Sequence, residues 1–115
     1  MIIGGGSGGY AAARTAQTLG AKVGIVDKGP LGGLCILRGC MPTKTILRSS
    51  DVMSLVKRAK EFGLRASKPI AKMDEIYARK KALVKEFADY RVEQLNSPRF
   101  ELIKGKATFL NKNTI

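Results

Sequence analysis

The chain has 115 residues, with 21 basic and 9 acidic side chains, two cysteines and no histidine. This length allows one domain with a single core. A zinc site needs about four nitrogen or sulfur ligands, so two cysteines without histidine argue against a metal site in this chain. The sequence shows no signal peptide and no apolar run of about 20 residues, which predicts a cytoplasmic protein without membrane contact.

The net charge of +12 is concentrated in the middle of the chain, where residues 57–91 hold eleven of the basic side chains. Such a charge can mark a surface that binds nucleic acid, an anionic membrane or an anionic cofactor. The basic residues are spread over two predicted helices among five acids, and no RNA- or DNA-binding signature accompanies them. We interpret them as solvated helix faces, with a nucleic-acid surface as the less favoured alternative.

The beginning of the chain has the pattern of a strand, a glycine-rich turn, a helix and a second strand. The apolar segments 1–3 and 22–27 predict two adjacent parallel strands, and the alanine-rich segment 8–19 predicts the helix between them. Gly20 follows where a left-handed residue usually ends a helix. This βαβ unit predicts a Rossmann-like α/β fold of three layers, which we expect to be incomplete at both ends.

The remainder of the chain predicts two longer helices and two short strands. Apolar residues recur at helical spacing over 43–62, and the following Gly63 is typical of a helix end. A second helix is predicted over 71–95, with an apolar stripe facing the core. Segments 100–103 and 107–110 have the character of short strands. Because later strands are absent, we expect an exposed sheet edge and self-association.

The turn at the start of the chain fits a dinucleotide site. Residues 4–9 read GGGSGG, in which Gly4, Gly6 and Gly9 meet the spacing G-x-G-x-x-G. These glycines allow a tight turn, close approach of a pyrophosphate and close packing of helix on strand. Asp27 ends the second strand, where a carboxylate accepts from ribose hydroxyls and disfavours a 2′-phosphate. The turn over residues 4–9, together with Asp27, therefore suits FAD or NAD better than NADP. A glycine-rich turn that binds no ligand is the less favoured alternative.

The two cysteines lie in the segment 32–44, which reads GGLCILRGCMPTK. In a regular helix, the Cα atoms of Cys35 and Cys40 would be about 7.5 Å apart along the axis, whereas a disulfide tolerates roughly 4.4–6.8 Å. Gly39 and Pro42 supply local means of distorting the turn. The pattern favours a reducible disulfide over two inert thiols or two metal ligands.

The surroundings of the cysteines favour redox chemistry. Arg38, Lys44 and the start of a helix are expected to lower the pKa of the thiols. A disulfide that exchanges electrons with a nicotinamide needs a flavin as intermediary. The dithiol therefore favours FAD as the nucleotide at the glycine-rich turn.

Segment 32–44, the glycine-rich start and Asp27 together resemble the class I flavin-dependent pyridine nucleotide-disulfide oxidoreductases, the group of dihydrolipoamide dehydrogenase, glutathione reductase and mercuric reductase. The resemblance covers essentially the whole chain. It implies an FAD-binding portion of an oxidoreductase that passes electrons from NAD(P)H through FAD to a Cys35–Cys40 disulfide, and on to a disulfide or metal-ion substrate. It also implies a homodimer, with nicotinamide and dimerisation domains outside residues 1–115.

The resemblance assigns roles to individual residues. Cys35 would be the interchange thiol that faces the substrate, and we expect it to be the more accessible thiol, whereas Cys40 would contact the flavin ring. Lys44 would lie near the flavin, and segment 105–107 would pass the adenine end of FAD. The expected cofactor-binding residues are Gly4, Gly6, Ser7, Gly8, Gly9, Asp27, Lys28, Gly33, Lys44, Lys106 and Ala107.

The chain also departs from the family pattern. Leu34 replaces a threonine that usually precedes the first cysteine, and residues 36–38 read Ile-Leu-Arg where the family has Val-Asn-Val or Leu-Asn-Val. The family's acid–base histidine has no counterpart in this chain, and half of the flavin site and the whole nicotinamide site would come from outside residues 1–115. We therefore expect weak or absent FAD binding and no turnover from these 115 residues alone. A stand-alone FAD- or nucleotide-binding module is the main alternative function.

Overall fold

The computed structural model describes all 115 residues. A parallel sheet of order β1-β2-β3 forms from β1 (Ile2–Ile3), β2 (Gly24–Asp27) and β3 (Glu101–Lys104). Ile25 of β2 is paired with Ile2 of β1 on one side and with Leu102 of β3 on the other. Parallel neighbours need long crossover connections, and helices supply both of them here.

The helices differ greatly in length. They are α1 (Ser7–Thr18), α2 (Gly33–Leu37), α3 (Cys40–Lys57), a 3-10 helix (Ala59–Phe62) and α4 (Met73–Leu95). No helix of the chain is both long enough and apolar enough to cross a bilayer. The order β1-α1-β2 confirms the predicted βαβ unit and the Rossmann-like α/β class.

Two predicted helix ends are confirmed by their hydrogen bonds. Gly20 has a φ of 86°, and its N–H donates to the carbonyl oxygen of Gln17 at 2.9 Å. Gly63 has a φ of 71°, and the next amide, of Leu64, donates to the carbonyl oxygen of Ala59 at 3.0 Å. Because glycine adopts positive φ without strain, both positions terminate a helix and redirect the chain.

The core lies between α1, the sheet and the C-terminal end of α4. Its buried members are Tyr10, Ala13, Val23, Ile25, Leu95 and Phe100. Ile25 and Leu95 are fully buried, and the rings of Tyr10 and Phe100 meet edge to face at 6.1 Å. On the opposite face of the sheet, Val26 is buried, whereas its register partners Ile3 and Ile103 in the outer strands are exposed.

Helices α3 and α4 pack on each other and extend the molecule to 65 × 28 × 24 Å. The radius of gyration is 20.2 Å, well above the roughly 13 Å of a compact domain of this length. The predicted core-facing stripe of α4 is therefore wrong in part, since four of its members are exposed: Met73, Tyr77, Phe87 and Tyr90. The physical reason is that α4 has α3 as a neighbour but no further layer over its other side.

Several predicted boundaries shift, and one strand is absent. The helix predicted over 43–62 begins earlier, at Cys40, and gives way to the 3-10 helix after Lys57. Segment 107–110 is predicted as a strand but forms none. Instead, the amide of Leu110 donates to the carbonyl oxygen of Thr114 at 2.9 Å, which closes a terminal turn. Both outer strands keep a free edge, and self-association stays a prediction.

Candidate functional site

The glycine turn leaves the end of β1 and opens α1. Gly4 has a φ of 91°, and its N–H donates to the carbonyl oxygen of Val26 at 2.7 Å. A Cβ at Gly9 would lie only 1.8 Å from the carbonyl oxygen of Gly4, so the close passage of α1 over the turn requires glycine at position 9. Helix α1 has no side-chain cap and no acid in its first turn. Its free N–H groups therefore suit an anion such as a phosphate.

Asp27 lies at the end of β2, beside this turn. Its Oδ2 accepts a hydrogen bond from the amide of Gly5 at 2.6 Å, and its Oδ1 accepts one from the amide of Gly29 at 2.7 Å. The carboxylate thus connects the end of β2 to the glycine turn, a contact that the sequence did not predict. Each carboxylate oxygen has capacity for a further donor, so ribose hydroxyls can still bind here.

A cavity of about 530 Å³ opens beside the turn and the carboxyl ends of the strands. Six of the predicted cofactor residues line it: Gly4, Asp27, Lys28, Gly33, Lys106 and Ala107. The other predicted residues of the turn, Gly6, Ser7, Gly8 and Gly9, lie outside the lining, as does Lys44. Leu37 and Arg38 also line the cavity. The sequence did not predict a cofactor contact for Leu37, and it placed Arg38 only beside the disulfide.

The dithiol is formed where α2 ends and α3 begins. Gly39, with φ −121° and ψ −108°, separates the two helices, and Cys40 is the first residue of α3. A Cβ at Gly39 would lie 3.3 Å from the Cα of Cys35, so the missing side chain lets the chain fold back against that residue. The predicted distortion is present as a break between helices. Pro42 lies in the first turn of α3, where its missing N–H costs no helical hydrogen bond.

Helix α2 packs directly on the glycine turn. Gly33, its first residue, has a φ of 74°, and a Cβ there would lie 2.6 Å from the Cα of Gly6. Backbone contacts this close are possible only between glycines. The contact places the dithiol helix against the anion-binding turn, a relation that sequence spacing did not reveal.

The two thiols have different proton affinities. The neighbouring thiol of Cys40 is the main cause that lowers the pKa of Cys35, and Ser7 and Arg91 act in the same direction. The neighbouring sulfur of Cys35 and its charge raise the pKa of Cys40, and Lys44 only partly opposes this. The prediction of lowered pKa values is thus right for Cys35 and wrong for Cys40.

Accessibility follows the opposite order to the one expected. Cys35 is half-buried, whereas Cys40 is exposed. The reason is that Cys35 lies within α2, which packs against the glycine turn and α4. Cys40 is instead the first residue of α3. Cys35 is therefore favoured as the nucleophile by its charge state rather than by its exposure.

Alkylation of the reduced chain is expected to change its order with pH. A thiol with a lowered pKa is a thiolate at lower pH, so Cys35 should be labelled first in mildly acidic to neutral solution. Above the raised pKa of Cys40, both sulfurs are thiolates, and the more exposed Cys40 should then be labelled at least as fast. Mass spectrometry of peptides after brief iodoacetamide treatment measures the ratio. A ratio that stays constant across pH would contradict this ordering of the two pKa values.

Arg91 has a tertiary contact that the sequence did not indicate. It was counted among the solvated basic residues of the second long helix, yet its guanidinium carbon lies 4.0 Å from the ring centroid of Tyr10 on α1. No local motif marks this contact, because the two residues come from distant parts of the chain.

These features define an α/β protein of the Rossmann-like class, in which the helix that carries Cys35 packs on the glycine-rich turn. The sequence matches the family described as pyridine nucleotide-disulphide oxidoreductase over residues 1–115, and the chain belongs to this family. This assignment agrees with the resemblance of segment 32–44 to that family.

Individual relatives agree with this assignment. The chain is 35% identical over 116 residues to the dihydrolipoyl dehydrogenase of Bacillus subtilis, covering 99% of this chain and 25% of that protein. It is 34% identical over 116 residues to the mercuric reductase of Lysinibacillus sphaericus, covering 100% and 21%. The crystal structure of LpdA from Mycobacterium tuberculosis superposes with a TM-score of 0.78 at 29% identity, covering 96% of this chain and 24% of that one. The chain thus spans about a quarter of the length of the relatives it matches.

Proposed function

We propose that residues 1–115 are the N-terminal part of the FAD-binding domain of a disulfide oxidoreductase. In the intact protein, electrons would pass from NAD(P)H through FAD to a Cys35–Cys40 disulfide, and on to a small-molecule disulfide or a metal ion. The observation that supports this most directly is the contact between Gly33 and Gly6, where a Cβ would lie at 2.6 Å. It joins the dithiol helix to the nucleotide-binding turn, so cofactor and disulfide chemistry share one site.

The residues present fit the dinucleotide. The free N–H groups at the start of α1, with Gly6, Ser7 and Gly8, would hold the pyrophosphate, and Asp27 would hold the ribose. Gly9 would preserve the close approach of the helix to the turn.

Basic and small residues complete this part of the proposed cofactor site. Lys28 and Lys106, at the mouth of the cavity, would add positive charge near the phosphates, and Ala107 would contact the adenine end. Lys44 would lie near the flavin. When bound, FAD would supply the two-electron step between the nicotinamide and the disulfide.

Reduction of a substrate disulfide would take two thiol–disulfide exchange steps, one at each cysteine. The Cys35 thiolate attacks one sulfur of a substrate disulfide, so the substrate S–S bond breaks and one substrate thiolate leaves. The sulfur of Cys40 then attacks Sγ of Cys35, which forms the Cys35–Cys40 bond and releases the second substrate thiolate. The proton of Cys40 passes to a leaving thiolate. The raised pKa of Cys40 keeps this proton available until Cys35 has reacted.

The homodimer and the nicotinamide and dimerisation domains belong to the same proposal. They would lie outside residues 1–115, and the acid–base histidine would come from there, since this chain has none.

Two measurements on the 115-residue chain test the proposed function. In a glutathione redox buffer, mass spectrometry should detect an intramolecular Cys35–Cys40 disulfide, while Cys40→Ser should give only a mixed disulfide with glutathione. With added FAD and NADH, steady-state disulfide reduction should be absent. Failure to form the intramolecular disulfide would overturn the proposal. Turnover that is abolished by Cys35→Ser would instead show that this chain alone is sufficient for activity.

A further inference from the structure

The cavity beside the glycine turn has a lining with more positive than negative charge. Its cations come from three elements: Lys28 follows β2, Lys106 follows β3 and Arg38 follows α2. Asp27 is the single acid of the lining, and both of its carboxylate oxygens already accept a hydrogen bond from a backbone amide. The ion pairs of the chain join other residues, so the three cations are not neutralised within the chain. Such a lining attracts an anion.

Arg38 is brought to this cavity by α2, the helix that carries Cys35. Its backbone N–H donates to the carbonyl oxygen of Leu34 at 2.9 Å, which places it at the C-terminal end of the helix. At the other end of α2, a Cβ at Gly33 would lie 2.6 Å from the Cα of Gly6. The backbone of α2 is therefore seated on the glycine turn at its first residue, and the residue after its last one brings a cation to the cavity.

The side chains that α2 brings to the cavity suit a nucleotide that carries phosphates. Leu34 and Leu37 offer apolar surface and no polar group, whereas Arg38 offers a planar fork of N–H donors that matches phosphate oxygens. Gly4 and Gly33 also line the cavity, so it adjoins the start of α1. The free N–H groups at that helix start suit a phosphate as well. Two elements thus supply phosphate-binding groups at the same end of the cavity.

We propose that Arg38 is a cofactor-binding residue, whose guanidinium binds the diphosphate of the dinucleotide from the α2 side of the cavity. The inference rests on the proposed function, in which this cavity holds part of FAD. It adds to the residues of that proposal a contact from the same helix as Cys35. A diphosphate bound both at the start of α1 and by Arg38 would hold α2 against the turn, so cofactor binding would also stabilise the position of Cys35.

The test compares the affinity of the 115-residue chain for ADP and for adenosine, measured by NMR titration of its backbone amides. ADP has the adenine, ribose and diphosphate of the dinucleotide, and adenosine lacks the phosphates. In Arg38→Met, the Kd for ADP should rise about three- to ten-fold because a charge-assisted contact is lost. The Kd for adenosine should stay the same. Arg38→Lys keeps the charge but not the fork, so its Kd for ADP should rise by a smaller factor.

Arg65→Met is the matched control. Arg65 is exposed like Arg38 but lies outside the lining of the cavity, so this variant loses the same net charge without removing a proposed contact. Its Kd for ADP should equal that of the parent chain. Added salt should weaken ADP binding more in the parent chain than in Arg38→Met, which has one charge fewer to screen. The inference would be overturned by an unchanged Kd for ADP in Arg38→Met, by an equal rise in Arg65→Met, or by an equal loss of affinity for adenosine.

Loss of folding and failure of the proposed function give different results from failure of the inference. The amide spectrum shows whether each variant is folded, and Arg38→Gln takes the place of Arg38→Met if that variant is unfolded. Disulfide formation between Cys35 and Cys40 in the parent chain reports on the proposed function by itself. With that disulfide intact, equal ADP binding by parent and variant, or no binding by the parent at millimolar ADP, rejects the role of Arg38 alone. A missing disulfide rejects the proposed function.

Discussion

Gly9→Ala is expected to destabilise the chain by more than about 4 kcal/mol, enough to unfold many single domains. The added Cβ would lie 1.8 Å from the carbonyl oxygen of Gly4 and 3.0 Å from its carbonyl carbon. Both are backbone atoms that cannot rotate away. Relief requires α1 to move off the glycine turn, which would disrupt the packing of Tyr10 and Ala13 against the sheet.

Gly8→Ala provides the matched control for this prediction. Gly8 is the preceding residue of the same helix, and a Cβ there would meet nothing within 4 Å. Because alanine is the better helix former, this variant should gain about 0.5–1 kcal/mol. Thermal unfolding followed by circular dichroism measures both. Similar stabilities for the two variants would contradict the geometry of the turn.

Gly33→Ala is expected to cost about 2–4 kcal/mol and to separate the dithiol helix from the glycine turn. Two effects add here. The residue has a φ of 74°, which is strained for alanine, and its Cβ would lie 2.6 Å from the Cα of Gly6. Since α2 carries Cys35, a shift of this helix should also slow formation of the Cys35–Cys40 disulfide.

Gly63→Ala separates the two effects. Gly63 has a similar φ of 71°, but a Cβ there would meet nothing within 4 Å. This variant should therefore show the backbone strain alone, about 1–2 kcal/mol, with no change in the rate of disulfide formation. Urea unfolding and a timed redox-buffer assay compare the two variants. If Gly33→Ala and Gly63→Ala lost equal free energies of unfolding and formed the Cys35–Cys40 disulfide at equal rates, the contact between α2 and the turn would be unimportant.

The contact between α2 and the turn has a consequence for the proposed chemistry. The start of α1 provides N–H groups for a phosphate, and Ser7 in its first turn also lowers the pKa of Cys35. Cofactor binding and thiol reactivity would therefore share the same short segment. This arrangement explains why a glycine-rich turn and a dithiol occur so close together in one sequence.

The sequence predicted the features that depend on neighbouring residues. The βαβ unit, the left-handed Gly20 and Gly63, and the interruption between the cysteines all follow from local backbone preferences, which act within a few residues of the chain. The resemblance of segment 32–44 to a family motif likewise lies in a short, contiguous stretch. The placement of Asp27 beside the turn also followed from the sequence, because parallel strands bring their carboxyl ends to one edge.

Features that depend on what covers each surface were predicted less well. The apolar spacing of α4 is typical of a buried helix, yet Phe87 and Tyr90 are exposed because no further layer lies over them. Segment 107–110 has the composition of a strand, yet its last residue, Leu110, bonds to Thr114 in a terminal turn rather than to the sheet. Spacing shows that a face is apolar, but it does not show whether a partner is present.

The sequence by itself determined the class of fold, the glycine turn with its acid and the pair of cysteines, because these depend on local geometry and short motifs. Only the tertiary structure decided that Gly33 packs on Gly6, that Cys40 is the more exposed thiol, and that Arg91 lies over the ring of Tyr10. These relations join residues far apart in the chain. They arise from the packing of α1, α2 and α4 around the turn, and burial and charge at a thiol are set by such neighbours.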